Sequence, residues 1–111
     1  MENITVFKTK LLPFEVCNLI LNSERTRNEL VYEEYFNFDE GKQMAIMVFE
    51  KFYFRTNSMA SMTIIIENTI GENLVKCIPS GGGEGLLAND WGSGKHFVNW
   101  VKKFIEAYII E

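Results

Sequence analysis

The sequence predicts an α+β fold, a single five-stranded antiparallel sheet with both helices on one face. Three observations predict it. The N-terminal stretch alternates like a strand and changes to helical spacing after Pro13. A long central region, residues 30–80, holds four β-rich segments separated by short turn clusters. The last stretch brings apolar residues back at spacings of three and four. With 111 residues, 47% of them hydrophobic and 23% charged, the chain suits a single domain, 1–111, with a core of its own.

Taken in order, "ITVFKTKLL" supplies strand one, about Ile4–Leu11. Pro13 fits the first turn of a helix, where its missing N–H costs nothing. Phe14, Cys17, Ile20 and Leu21 then give one apolar face to a helix over Pro13–Asn22. The polar "SERTRNE" either prolongs that helix or forms a loop. "LVYEEYFNF", "QMAIMVFEKFYFR", "MASMTIIIEN" and "LVKCIPS" are strands two to five, joined by turns at "DEGK", "TNS" and "TIGEN". In the closing helix Phe97, Val101, Phe104, Ile105 and Tyr108 share a stripe, with Val98 and Ile109 at its margin and Lys102, Lys103 and Glu106 opposite. The element order is β-α-β-β-β-β-α. The hairpins fix strands 2-3-4-5 as neighbours, and the crossover helix brings strand one beside strand five. The predicted sheet order is therefore 1-5-4-3-2, with strands one and two as its edges.

Strand three raises a functional question. One face offers Met44, Ile46, Val48, Phe52 and Phe54, and the other Ala45, Met47, Phe49 and Tyr53. Strand four repeats the pattern, with Met62, Ile64 and Ile66 against Met59 and Ile65. An antiparallel sheet covered on one side should be polar on the other. A ligand, a second chain or curvature of the sheet is expected to cover the second face. A homodimer is the expected assembly. It would form by pairing strand one with its mate through Ile4 and Val6, or by packing two sheet faces across Met47, Phe49 and Tyr53.

Six of the eight glycines fall between Ser80 and Lys95, in "SGGGEG" and "WGSGK". A phosphate-binding loop of the form G-x-x-x-x-G-K-[ST] is not met, because Asn89 stands where its first glycine belongs and His96 where its hydroxyl belongs. Two readings remain. In the structural one, the glycines carry the chain from the last strand into the last helix, with Trp91 closing the end of the core. In the other, Gly81, Gly82, Gly83, Glu84, Gly85, Asp90, Trp91, Lys95 and His96 line a pocket against the C-terminal helix. Lys95 would orient an anionic group of a small molecule there.

Composition excludes several classes. The formal net charge is −4, so an electrostatic nucleic-acid binder is not expected. No apolar run is long enough to span a bilayer. The two cysteines, Cys17 and Cys77, sit in apolar surroundings and read as reduced and buried. With a single histidine no metal-ligand spacing arises, and no catalytic triad or carboxylate pair stands out. No cofactor and no catalytic residue is therefore assigned, and a cytoplasmic location is expected.

The element order resembles the TATA-binding-protein-like topology, and more loosely the helix-grip domains that bind lipophilic ligands. The tail "SGGGEGLL…DWGSGKHFV", together with "PFE" at the helix start and "VFEKFYFR" in strand three, resembles a family of small uncharacterised bacterial proteins, mainly of Firmicutes, classed as a domain of unknown function. That resemblance implies relatives but no activity, since fold does not carry function.

Overall fold

A computed structural model of the chain describes residues 4–54, 57–81 and 93–110. The elements are β1 (Thr5–Thr9), α1 (Pro13–Ile20), α2 (Glu24–Glu29), β2 (Leu30–Asn37), β3 (Gln43–Tyr53), β4 (Ser58–Glu67), β5 (Leu74–Gly81), α3 (Ser93–Ile105) and β6 (Ile109–Ile110). Short 3-10 turns stand at Asp39–Gly41 and Glu106–Tyr108. The strands form one antiparallel sheet in the order β2-β3-β4-β5-β1-β6.

The sheet thus has six strands where five were expected. Ile109 was placed on the margin of the closing helix, but α3 ends at Ile105 and the chain turns back. Ile109 then pairs with Thr9, and Ile110 with Lys8. The amide of Lys10 also donates to the carbonyl of Tyr108 at 2.9 Å. The cause is the row of unpaired backbone groups along β1, which two β-branched residues can satisfy in extended form. Strand one is consequently not an edge strand.

Among the described residues there are three helices rather than the expected two, because "SERTRNE" neither continues α1 nor stays a loop. Ser23 caps a separate turn of helix by accepting from the amide of Arg25 at 3.2 Å. Thr26 is buried, and its hydroxyl donates to the carbonyl of Ile20 at 2.6 Å. The guanidinium of Arg27 donates to the carbonyl of Leu21 at 2.7 Å. Both carbonyls stand at the C-terminal end of α1, where helix acceptors lack intrahelical partners. At the other end of α1, Glu15 reaches back to the amide of Leu12 at 2.9 Å, and the amide of Phe14 donates to the Gln43 side chain at 3.1 Å.

The turn between β4 and β5 contains Gly71 at φ 98°, a conformation that favours glycine. Asn68 fastens the neighbouring end of the sheet, its side-chain oxygen accepting from the amide of Gln43 at 2.7 Å. The long β3–β4 hairpin pairs from Met44 with Glu67 to Tyr53 with Ser58.

α1 and α3 touch each other and lie on the same face of the sheet. Val16, Cys17 and Ile20 of α1 and Val101 and Ile105 of α3 pack against Phe7, Ala45, Met47, Phe49, Ala60, Met62, Ile64, Ile66, Val75 and Cys77. Half-buried Trp100 sits edge-on to Phe49, with ring centroids 5.5 Å apart, and edge-on to Phe104 at the same distance.

Candidate functional site

The register assigns each strand residue to a face. On the side away from α1 and α3, one row across the sheet reads Glu34, Ile46, Ile65, Lys76, Val6. The next reads Tyr32, Val48, Thr63, Ile78, and the row on the other side reads Phe36, Met44, Glu67, Leu74, Lys8. A polar row of Glu50, Ser61 and Ser80 separates these from Phe52 and Met59 near the β3–β4 turn. Among the described residues no helix covers this face. Val6, Tyr32, Phe52 and Met59 are exposed, and Met44, Ile46, Val48, Ile65 and Ile78 are half-buried. Phe54, just beyond β3, is 88% exposed, and its ring meets Phe52 edge-on at 5.1 Å.

The face also holds a shielded ion pair. The ammonium of Lys76 donates to Glu67 Oε2 at 2.8 Å, and the amide of Thr69 donates to Glu67 Oε1 at 3.0 Å. Glu67 is only 6% exposed. These donors, with Lys76 first among them, hold its carboxyl down at about 2 in spite of burial. At the β1 end, Lys8 pairs with Glu72 at 2.9 Å, with both side chains half exposed. The lysine stems add apolar surface to the face while their charges are neutralised in place.

Of the residues singled out in the sequence, Met47 and Phe49 lie on the opposite side. Both are 0% exposed beneath the helices, so a second copy cannot reach them. The parity of strand three was correct, but the helices cover the Ala45–Met47–Phe49 set and leave the Met44–Ile46–Val48 set open. Tyr53 ends β3, paired with Ser58. Val6 and Ile4 are exposed as an interface would need. Pairing of β1 with a second β1 is obstructed because β6 occupies Lys8 and Thr9. Gly81 is the last residue of β5, opposite Ala60. Lys95 and His96 lie in the first turns of α3. Gly82, Gly83, Glu84, Gly85, Asp90 and Trp91 lie outside the described residues.

The cysteines offer no reactive thiol. Cys17 and Cys77 are free and buried, and burial pushes both thiols up to about 12. On the β2 edge, the Tyr32 hydroxyl donates to Glu34 and the Tyr35 hydroxyl to Glu33, each at 2.6 Å. Burial and that Glu33 contact raise the Tyr35 hydroxyl well above the ordinary phenol range.

Sequence reasoning missed two features. The Glu67–Lys76 pair joins diagonal neighbours on adjacent strands, a relation visible only once the register is known. Thr26 sat inside a polar run that gave no sign of burial.

The comparison with known families decides the chain's relationship. Residues 15–109 match the family of unknown function DUF6054. The chain belongs to that family. No curated protein and no solved structure matches it. Among the described residues, no helix is long and apolar enough to cross a membrane.

Proposed function

We propose that this chain is a non-enzymatic interaction module whose open sheet face binds a second copy of itself. The observation that carries the reading is the uncovered row Ile46–Ile65 with its neighbours Met44, Val48, Ile78 and Val6, on a sheet whose opposite face is already filled. Five strands at a spacing of about 4.8 Å and about seven residues in length make a face on the order of 550 Å² in projection. Side-chain relief brings that toward the roughly 800 Å² per partner of a standard stable interface.

Charge and edges favour a like partner. The β2 end of the face carries Glu34 and the β1 end Lys8 and Lys76. A twofold axis lying between two such faces and parallel to the strands sets β2 of each copy over β1 of the other, so that Glu34 meets the internally paired Lys8 and Lys76 rather than a like charge. Association by edges is less favourable. β2 presents adjacent Glu33 and Glu34 and an irregularity between Leu30 and Tyr32, and β6 covers part of β1. The TATA-binding-protein-like topology and the bacterial origin enter this reading from the sequence resemblance, and the cytoplasmic setting from the composition of the chain.

Light scattering during gel filtration tests it on the full chain. A dimer is expected at tens of micromolar, and Ile65→Glu, at the centre of the face, is expected to give a folded monomer with an unchanged circular dichroism spectrum. A wild-type monomer, or a dimer indifferent to Ile65→Glu, sinks the reading.

A further inference from the structure

The helical side of the molecule carries a cleft that the sheet-face reading does not use. Among the described residues it is lined by Arg25 of α2, by Asn99, Trp100, Lys102 and Lys103 of α3, and by Glu106, and it is an open cleft with a volume of about 560 Å³. That volume lies within the roughly 300–1,000 Å³ typical of small-molecule sites. Three cations converge there against a single lining carboxylate, in a chain whose formal net charge is −4. Among the described residues Arg25 is the one of the three with an ion-pair partner, its Nε standing 3.8 Å from Glu29, too far for a hydrogen bond. Neither Lys102 nor Lys103 is ion-paired among the described residues. Lys102 lies 5.9 Å from the centre of the Phe7 ring, which favours its charge without neutralising it.

The geometry points to a binding site for a small phosphate-bearing ligand in this cleft, on the opposite side of the sheet from the proposed self-association face. The division of labour follows from the donors. The guanidinium of Arg25 offers a planar fork that matches two phosphate oxygens, and the ammonium groups of Lys102 and Lys103 supply compact charge from the facing helix. Asn99 adds an amide that can donate or accept. The indole of Trp100 is held between Phe49 and Phe104 and forms part of the wall, so the ligand's non-phosphate body has an apolar surface to rest on. Glu106 limits the site to ligands of modest charge, since a longer polyanion would run onto it.

Isothermal titration of the full chain with AMP at low salt tests the site, with inorganic phosphate and adenosine as companions. AMP is expected to bind saturably, with Kd below about 1 mM. Inorganic phosphate should bind at least threefold more weakly, and adenosine should give no saturable heat. Lys103→Ala and Arg25→Ala, both surface changes, should weaken AMP binding at least fivefold each without moving the melting temperature. Lys8→Ala, on the far face, should leave it unchanged. Raising salt should weaken binding as the cations are screened. Absence of saturable AMP binding overturns the proposal, as does a loss under twofold in both cleft variants. AMP binding no tighter than that of adenosine also overturns it, because the anion would then contribute nothing. None of these readouts depends on oligomeric state, which the Ile65→Glu variant reports separately.

Discussion

The two faces of the sheet are built from the same kinds of residue and differ in what covers them. Phe49 and Phe52 stand three residues apart on β3. Phe49 is completely enclosed by the helical layer, whereas Phe52 is 40% exposed. Met47 and Met59 differ in the same way, at 0% and 49%. The covered face is wholly apolar from Ala45 to Phe49 on β3, from Ala60 to Ile66 on β4 and from Val75 to Cys77 on β5, and its polar residues Gln43, Lys51 and Ser58 fall at the ends of the strands. The open face interleaves its apolar residues with Glu67, Lys76, Thr63 and Ser61, the first two joined as an ion pair. Apolar content by itself does not identify a core. The side that must stay soluble before any partner arrives is the one that carries internally neutralised charge.

Truncating an aromatic on each side should separate the two faces most strongly. Phe49→Ala should destabilise the fold by about 3–5 kcal/mol, because it leaves a cavity under Trp100. Phe54→Ala should change stability by less than about 0.5 kcal/mol. Urea denaturation of both variants measures the difference, and equal effects would mean that the two faces are covered alike.

The next effect belongs to the open face alone. The Glu67 carboxyl is held at about 2, below its ordinary 4.5. A carboxyl with a depressed folded value contributes stability that is fully present above the unfolded value and is lost as pH falls through the folded one. Stability should therefore decline between about pH 4.5 and pH 2 through this group, and Glu67→Gln should flatten that part of the curve. Lys76→Met should cost about 1–3 kcal/mol near neutrality, because it leaves a shielded carboxylate without its principal donor. Chemical denaturation across the pH range checks both. A Glu67→Gln curve parallel to wild type would show that the pair is a bystander.

A smaller effect tests how the covered side is closed. Thr26→Val should cost about 1 kcal/mol by leaving the carbonyl of Ile20 without the hydroxyl that satisfies it, and Thr26→Ser should recover most of the loss. Thermal melts of the two variants decide between a polar and a packing role. Equal losses in both would assign Thr26 to packing.

Much of this fold was legible in the chain. The hairpins of β2 to β5 announced themselves through "DEGK", "TNS" and "TIGEN", and the crossover to β1 followed from the helix at Pro13. β6 was not legible. Ile109 continues the 3.6-residue period of α3, and nothing local distinguishes a helix margin from a strand that pairs with residues a hundred positions earlier. The split of α1 from α2 was hidden for a similar reason, since Ser23 and Thr26 look like ordinary polar residues until their hydrogen bonds are seen. The cleft between α2 and α3 was equally hidden. Arg25 and Lys103 are far apart in sequence, and each taken alone reads as a solvated charge.

By itself the sequence determined the strand and helix periods, the turns, the reduced cysteines and the presence of two apolar sets on β3. These are local consequences of side-chain spacing along an extended or helical backbone. Which of the two sets became core was decided only by tertiary structure. A period of two separates Met44, Ile46 and Val48 from Ala45, Met47 and Phe49, but alternation has no sign. Choosing the side depends on where α1 and α3 land, and that rests on contacts between Val16, Ile20, Val101 and Ile105 and strands distant in the chain.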